Sequence, residues 1–512
     1  GGATVSDNSA GIHGGGILNL SGALTITAGA AISGNSTTTG NGGGLYNNGG
    51  PATIEDGATL TDNHAGQYGG GIYNRGGATM TIAGSGTLIG GASGNTASYG
   101  GGVYNYGAAS IVIISGGADV SGNSATVGHG GGIYNHLAAL TITGSGTTIG
   151  GSPGNTAAGH GGGILNDSGT VIIESGALIS NNTAPFGGGV FNYATPATLT
   201  IQSGADVSGN AATANGGGIY NQFGAATITG SGAAIGGADG NSAAIHGGGI
   251  LNDRGEVVVE GGALVSNNDA TNGGGIYNYA ITGSPSTVRV QSGASVTGNT
   301  ASNAGGGIYN ESGAVFVEGA GTVIGGATGN TASYGGGVYN YGSNAILAIN
   351  NQALIANNNA SGYGGGIRNN GGTVTITRSA LSGNVAAQHS GGINAFNGSL
   401  SVIQSTINGN SADYGGGIGN YGATITIDNS TISGNSADYG GGLYNSSGAS
   451  TLTNVTVARN TASGGGIYRS GGTVTVRNTI LDNSGPNCVG AIANGSGNLQ
   501  YPGTSCGDSI LS

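Results

Sequence analysis

Charged and large aromatic residues are scarce in this chain. It has no Trp, one Met and seven Pro, and it contains 8 basic and 20 acidic residues among 512. All basic residues are Arg, so Lys is absent too. A formal charge of −12 without a basic stripe excludes electrostatic binding of nucleic acid or of an anionic membrane surface.

Long apolar runs and cysteine are equally rare. No segment approaches the roughly 18 consecutive apolar residues of a membrane helix. The sequence opens at Gly1, without Met or a signal peptide, which we interpret as a processed or truncated product. The two cysteines, Cys488 and Cys506, indicate a disulfide and therefore an extracellular location, with two free thiols in a cytosolic protein as the alternative.

Glycine is abundant instead, at 120 residues, and much of it recurs in one motif. Gly triplets followed by Ile, Leu or Val begin at residues 14, 42, 69, 100, 130, 161, 187, 216, 247, 273, 305, 335, 364, 415, 440 and 464. Ser390-Gly391-Gly392-Ile393 is a degenerate further copy. A spacing of 24 to 32 residues predicts that each copy is one turn of a solenoid.

The turn that begins at Gly130 shows three β-prone runs separated by Gly, Asn and Ser. They are Ile133 to Asn135, Leu140 to Ile142 and the stretch around Ile149. Alternation along a strand places Ile133, Leu140 and Ile142 inside. The sequence therefore predicts an all-β fold, a single right-handed parallel β-helix of about 17 turns with three short strands per turn.

Two columns of Asn accompany the repeat. One lies before each triplet and includes Asn95 and Asn123. The other ends the triplet motif, and stacked amides of this kind are expected to form a structural ladder; its members include Asn19, Asn47, Asn74, Asn105, Asn135 and Asn166.

A column of aromatic residues occupies the position before the second Asn column. Because the neighbouring Ile points inward, alternation predicts that these rings are exposed and could bind glycan, pack against another rod or stack on one another. The candidate binding residues are Tyr46, Tyr73, Tyr104, Tyr134, Tyr220, Tyr277, Tyr309 and Tyr339. After Tyr339 the column changes character, where Arg368, Ala395 or Asn394, and Gly419 interrupt it.

Several patterns raise the possibility of other chemistry. Asp253, Arg254, Glu256 and Glu260 form the densest charge cluster, but no acids are obviously paired as a polysaccharide-cleaving enzyme would need. We therefore predict no catalytic site and no enzyme. Thr pairs resemble the arrays of ice-binding solenoids, although other residues interrupt them.

Metal binding is considered at two places. The side chains of Asp413 and Asp438 are expected on neighbouring turns and could hold Ca²⁺, although solvated turn residues are the simpler interpretation. His129 and His160 precede successive triplets and could share a metal, but Tyr or Phe fills the same column elsewhere, which favours stacked rings. We predict no obligate cofactor or metal.

Units such as VSGNSATVGHGGGIYN (120–135) resemble the GGAI and FxxN repeats of polymorphic outer-membrane proteins and related secreted bacterial β-helix proteins. Here GGG replaces GGA, and Val, Ile or Leu replaces the aromatic residue. The segment NTILDNSGPNCVGAIANGSGNL (478–499) resembles the end of β-helix proteins that carry a C-terminal surface anchor. The resemblance implies a secreted or surface-displayed rod, often adhesive.

The domain prediction is a β-helix over residues 1–486 and a non-repetitive tail over 487–512. The chain begins part-way round a turn, and the tail could lie on the open edge of another copy. The favoured function is an extracellular structural protein that assembles head to tail into a filament, with itself as partner. The alternatives are a monomeric adhesin that binds surface glycans through the Tyr column and, less favoured, a carbohydrate-active enzyme or an ice-binding protein.

Overall fold

The computed structural model describes residues 2–507, 510 and 511. The chain divides into two compact units, Gly1–Val258 with Ser266–Asn268, and Val259–Val265 with Asp269–Ser512. In each unit, short strands pair in parallel with the corresponding strands of neighbouring turns. The described residues form a parallel β-solenoid of about 17 turns and contain no α-helix, which confirms the predicted fold class. No helix in the same residues is long and apolar enough to cross a membrane.

The three predicted strands of each turn are present, and most turns add a short fourth one. Within each turn the strands are called first to fourth in chain order, and the first turn is taken to begin at Thr4. First strands are Thr4–Ser6, Ala31–Ser33, Thr59–Thr61, Leu88–Gly90, Asp119–Ser121, Thr148–Gly150, Leu178–Ser180, Asp206–Ser208, Ala234–Ile235, Leu264–Ser266, Ser295–Thr297, Val323–Gly325, Leu354–Ala356, Ala380–Ser382, Thr406–Asn408, Thr431–Ser433, Thr456–Ala458, Ile480–Asp482 and Leu499–Gln500.

Second strands, the ones not predicted, are Ser9–Ala10, Ser36–Thr37, His64–Tyr68, Thr96–Tyr99, Ser124–Ala125, Thr156–Ala157, Thr183–Phe186, Ala211–Asn215, Ser242–His246, Asp269–Asn272, Thr300–Ala304, Thr331–Tyr334, Asn359–Tyr363 and Val385–Ala386. Their inward residue is small, such as Ala125 or Ala184. They therefore lack the β-branched pattern by which a strand is recognised from sequence.

Third strands follow the Gly triplets: Ile17–Leu20, Leu45–Asn48, Ile72–Arg75, Val103–Tyr106, Ile133–His136, Ile164–Asp167, Val190–Tyr193, Ile219–Gln222, Ile250–Asp253, Ile276–Tyr279, Ile308–Glu311, Val338–Tyr341, Ile367–Asn370, Ile393–Phe396, Ile467–Arg469 and Cys488–Val489. Fourth strands are Leu24–Ile26, Ala52–Ile54, Thr79–Ala83, Ile111–Ser115, Ala139–Thr143, Thr170–Glu174, Thr198–Gln202, Ala225–Thr229, Glu256–Glu260, Thr287–Gln291, Ala314–Glu318, Ile346–Asn350, Thr373–Thr377, Ser399–Ile403, Thr473–Arg477 and Ala493–Asn494. In two turns the third and fourth strands merge, as Ile418–Asp428 and Leu443–Thr453.

Register is kept by equivalent residues, which stack directly on one another. Ile133 pairs with Ile164 and Asn135 with Asn166 on adjacent third strands. Ile133 is fully buried, as predicted from alternation. Each such aliphatic side chain contributes roughly 1.5–3 kcal/mol through removal from water, and repetition of the pattern produces a continuous aliphatic interior.

Both Asn columns are hydrogen-bonded ladders inside the solenoid. In the ladder of the third strands, Nδ2 of Asn135 donates to Oδ1 of Asn166 at 2.9 Å and to the carbonyl of Ala138 at 2.7 Å. In the ladder before the triplets, the backbone N–H and Nδ2 of Asn95 both donate to Oδ1 of Asn123, at 3.1 and 3.0 Å. The amides thus satisfy buried turn backbone and each other, which leaves them no free surface for a ligand.

The segment predicted as a separate tail continues the sheets of the second unit. Cys488 pairs with Ile467, and Gln500 pairs with Leu481. The backbone N–H of Gln500 also donates to the carbonyl of Leu511 at 2.8 Å. The described part of this segment therefore pairs with strands of its own chain. Residues 508, 509 and 512 of this segment lie outside the described residues.

The predicted disulfide between Cys488 and Cys506 is present. Both cysteines are buried. The bridge closes a loop with a sequence separation of 18 residues, and a loop of this size stabilises the fold by about 3 kcal/mol.

Candidate ligand-binding face

The predicted exposure of the Tyr column is wrong. Six of its rings are only 4 to 8 % exposed, and two are half-buried. The six are Tyr46, Tyr73, Tyr104, Tyr134, Tyr277 and Tyr339, and the two are Tyr220 and Tyr309.

Two sets of neighbours cover these rings. Where the next turn also carries a ring at this position, the two rings are in contact, as Tyr73 stacks on Tyr104 at a centroid distance of 5.3 Å. A second row of rings, which includes Tyr68 and Tyr99, packs against the column from the side. Alternation correctly places these rings on the side of the strand away from the aliphatic interior, but the second row excludes water there.

Several of the buried phenols have a hydrogen-bond partner on the next turn. The Tyr134 hydroxyl donates to Oδ2 of Asp167, and the Tyr220 hydroxyl to Oδ2 of Asp253, both at 3.1 Å. In the second unit, the Tyr277 hydroxyl donates to the Glu311 carboxylate. The pattern was visible in the sequence as an acid two positions after the aromatic position and one turn later, but sequence analysis missed it.

The burial of these Tyr side chains should raise the pH at which they ionise. Burial raises the pKa of Tyr73 to about 12, against the opposing effect of Arg75. The pKa values of Tyr104 and Tyr277 are raised as well, chiefly by burial. Tyr in an unfolded chain ionises near pH 10. Stability from these groups is thus complete below pH 10 and is lost as the pH rises through the folded-state values.

We expect a titration followed by phenolate absorbance to show a late class of Tyr that ionises together with the loss of β-sheet circular dichroism. In guanidinium chloride the late class should disappear. Ionisation of all Tyr in one transition near pH 10 by the folded protein would contradict the buried column.

A depression of about 300 Å³ lies on the aromatic face of the first unit. Its aromatic lining includes His129 and His160, which stack in parallel at a centroid distance of 4.5 Å, and Phe191, which stacks on His160 at 4.6 Å. The ring stack that the sequence favoured over a shared metal is thus present. Burial lowers the pKa of His129 and, with a smaller contribution from His129, lowers the pKa of His160 to about 4. Both imidazoles are therefore neutral at pH 7.

Polar groups and one exposed ring complete the lining. Asp167 is held by the hydroxyls of Tyr134 and Ser168, at 3.1 and 3.0 Å. Gln222 is oriented by its 2.6 Å bond to Oδ2 of Asp253. Tyr193, at 39 % exposure, stands beside them. Flat apolar rings next to fixed carboxylate and amide groups match the two surfaces of a sugar, its C–H face and its hydroxyls.

The other candidate sites are structural in their geometry. Asp253 forms a close ion pair with Arg254, at 2.6 Å between Oδ1 and Nε, so this part of the charge cluster is internally compensated. Asp413 and Asp438 lie on neighbouring turns joined by a 2.9 Å backbone hydrogen bond, with both side chains exposed. Within residues 2–507 and 510–511, no three His, Cys, Asp or Glu side chains come together as metal ligands would.

Comparison with known proteins gives no match. No protein-family model, curated protein or solved structure matches this chain. The resemblance to polymorphic outer-membrane repeats is therefore carried by the motifs alone, and the functional argument by the geometry of the aromatic face.

Proposed function

We propose that this chain is an extracellular or cell-surface β-solenoid that binds glycans on its aromatic face, without catalysis. The observation that supports it is the depression around Tyr193, where aromatic rings and oriented polar groups meet. The mode differs from the one expected from sequence, because the Tyr column forms the supporting wall and the exposed ring belongs to a neighbouring position.

Two further features agree with this role. The lining of the depression includes one carboxylate, Asp167, whereas glycoside hydrolysis by the common mechanisms uses two. The disulfide between Cys488 and Cys506 favours an oxidising compartment. Together they support binding outside the cell rather than turnover inside it.

The test is a glycan array followed by calorimetric titration of the best neutral oligosaccharide. Tyr193→Ala is expected to weaken binding about twofold to tenfold, since aromatic contacts of this kind contribute about 0.5–1.5 kcal/mol. Tyr341→Ala is the matched control, because Tyr341 also ends a third strand and is 40 % exposed but lies outside this depression. Equal affinity of both variants and wild type would refute the proposal.

End-to-end assembly into a filament is the second proposed function. Its support is a group of exposed apolar side chains on the turn that begins at Thr4, namely Ile12, Leu18 and Leu20, which are 62, 49 and 61 % exposed. In the next turn the equivalent of Leu18 is Tyr46, which is buried. A second copy seated on this surface would remove the three side chains from water.

Electron microscopy at high protein concentration tests this assembly. We expect filaments from the wild type and their loss in a Leu18→Asp, Leu20→Asp double variant. A dispersed wild-type monomer would refute it, and so would undiminished filaments in the double variant.

A further inference from the structure

A second depression, of about 200 Å³, lies in the second unit and differs chemically from the first. It is lined by Tyr363, Arg368, His389, Asn394, Phe396 and Tyr421. Its origin is a local loss of side-chain volume in the Tyr column. On successive turns Tyr339 pairs with Arg368, Arg368 with Asn394, and Asn394 with Gly419.

The guanidinium of Arg368 is held between aromatic rings. Its Cζ lies 4.8 Å from the ring centroid of Tyr334, 4.9 Å from that of Tyr363 and 5.7 Å from that of Tyr339. Cation–π contacts of this kind hold the plane of the group in place. Contact with ring faces satisfies the charge but not the N–H groups of the guanidinium, which need hydrogen-bond acceptors.

Those partners are missing within the protein. Nε and Nη1 of Arg368 are buried and donate to no acceptor among the described residues. No Asp or Glu among the described residues forms an ion pair with Arg368. Nε of Arg75 is also buried without a hydrogen-bond partner among the described residues, whereas Arg254 pairs with Asp253 and Arg378 donates to Asn351 at 2.7 Å.

An unsatisfied buried donor is costly, and more so when it is charged. A guanidinium that forms no ion pair with the described residues attracts an anion, and a carboxylate accepts charge-assisted hydrogen bonds from such a group. The chain around this guanidinium has a net charge of −12. The missing partner is thus best supplied by a bound anion.

The remaining lining indicates what the anion is attached to. Phe396 is 42 % exposed at the edge of the depression and offers an apolar surface. Asn394 is buried, and its Nδ2 donates to Oγ of Ser390 at 3.2 Å, which orients the amide. The Tyr421 hydroxyl and Nδ1 of His389 are 2.9 Å apart and fix each other. Aromatic surface and oriented polar groups beside a cation suit a sugar ring that carries a carboxylate.

We propose that the depression around Arg368 is a binding site for acidic sugars, in which the Arg368 guanidinium binds the carboxylate and Phe396 packs against the face of the sugar ring. This inference extends the proposed glycan binding to a second ligand class. It is separable from the first, because the Tyr193 depression lies in the other unit and contains no Arg.

The test is calorimetric titration of the full chain with an oligogalacturonate and with its methyl ester, which removes the charge and keeps the sugar. Wild type is expected to prefer the acid at least tenfold. Arg368→Tyr, which restores the residue type of the column, should abolish the preference. Arg368→Lys keeps the charge but loses the planar group that stacks on the rings, and should weaken binding of the acid about tenfold.

Controls separate this site from general electrostatics and from the first depression. Arg378→Gln removes an equal charge in the same unit and is expected to leave the affinity unchanged, as is Tyr193→Ala. Phe396→Ala should weaken the binding of the oligogalacturonate and leave the weak binding of inorganic phosphate unchanged. Equal affinity for acid and ester, or acid binding that survives both Arg368 variants, would overturn the proposal. Inorganic phosphate bound as tightly as the oligosaccharide would overturn its sugar component.

Discussion

Replacement of Gly131 by Ala is expected to destabilise the protein strongly, although it adds only one methyl group. A Cβ at this position would lie 2.3 Å from the carbonyl oxygen of Thr156 and 2.5 Å from that of Gly162. Both atoms belong to backbone of the next turn, which cannot move without breaking its own ladder. Overpacking usually costs 1–3 kcal/mol, and an immovable neighbour places this variant at about 4 kcal/mol.

The three glycines of the motif have different reasons to be glycine. Gly130 has a φ of +69°, in the left-handed region, whereas Gly131 and Gly132 are excluded from being larger by close approach to the next turn. The degenerate copy agrees with this division. Ser390 takes the first position at a φ of +65°, and the second and third remain glycine.

The effect of Gly131→Ala is measured by thermal or urea denaturation, with hydrogen exchange to locate the opened turn. Because solenoid turns contact only their neighbours, loss of protection should be centred on the turns around residue 131. Gly11→Ala is the matched control, since no atom lies within 4 Å of its added Cβ. An unfolding midpoint for Gly131→Ala equal to that of the control would contradict the close-approach argument.

The second large effect is expected for Asn123→Asp, which changes one donor group and almost no volume. Oδ1 of Asn123 accepts from Asn95, while its Nδ2 donates to Oδ1 of Asn155 at 3.0 Å and to the carbonyl of Ile89 at 2.8 Å. An aspartate would direct an oxygen at two acceptors from a fully buried position. Burying an uncompensated charge costs about 3–5 kcal/mol.

The pH dependence gives this variant a distinctive signature. Burial and the facing acceptors would raise the folded-state pKa of the new carboxyl above the unfolded value near 3.9. The destabilisation relative to wild type is therefore greatest at neutral pH and shrinks as the pH falls through the folded-state pKa. Urea denaturation should show a smaller difference in unfolding free energy between wild type and Asn123→Asp at pH 4.5 than at pH 7.

Asn344→Asp is the control, because Asn344 lies exposed in a turn. It is expected to match wild type within about 0.5 kcal/mol. If Asn123→Asp were as stable as Asn344→Asp at pH 7, the ladder would contribute little to the fold.

The sequence by itself determined the solenoid, the inward aliphatic positions and the two Asn columns. These follow from local rules that repeat without change: strand alternation places Ile133 and Asn135 on one side, and the triplet returns once per turn. The single chain contains many copies of the same pattern, so a wrong strand assignment in one turn is recognised from the other turns.

Only the tertiary structure decided what the outward side of the third strands contacts. Alternation specifies a side of the strand, not its solvent exposure, and Tyr104 is buried because rings from other positions and other turns cover it. The site around Arg368 has the same origin. The residues that interrupt the Tyr column are visible in the sequence, but a depression forms there because Asn394 and Gly419 remove volume on adjacent turns, and volume in space is not a property of any one position.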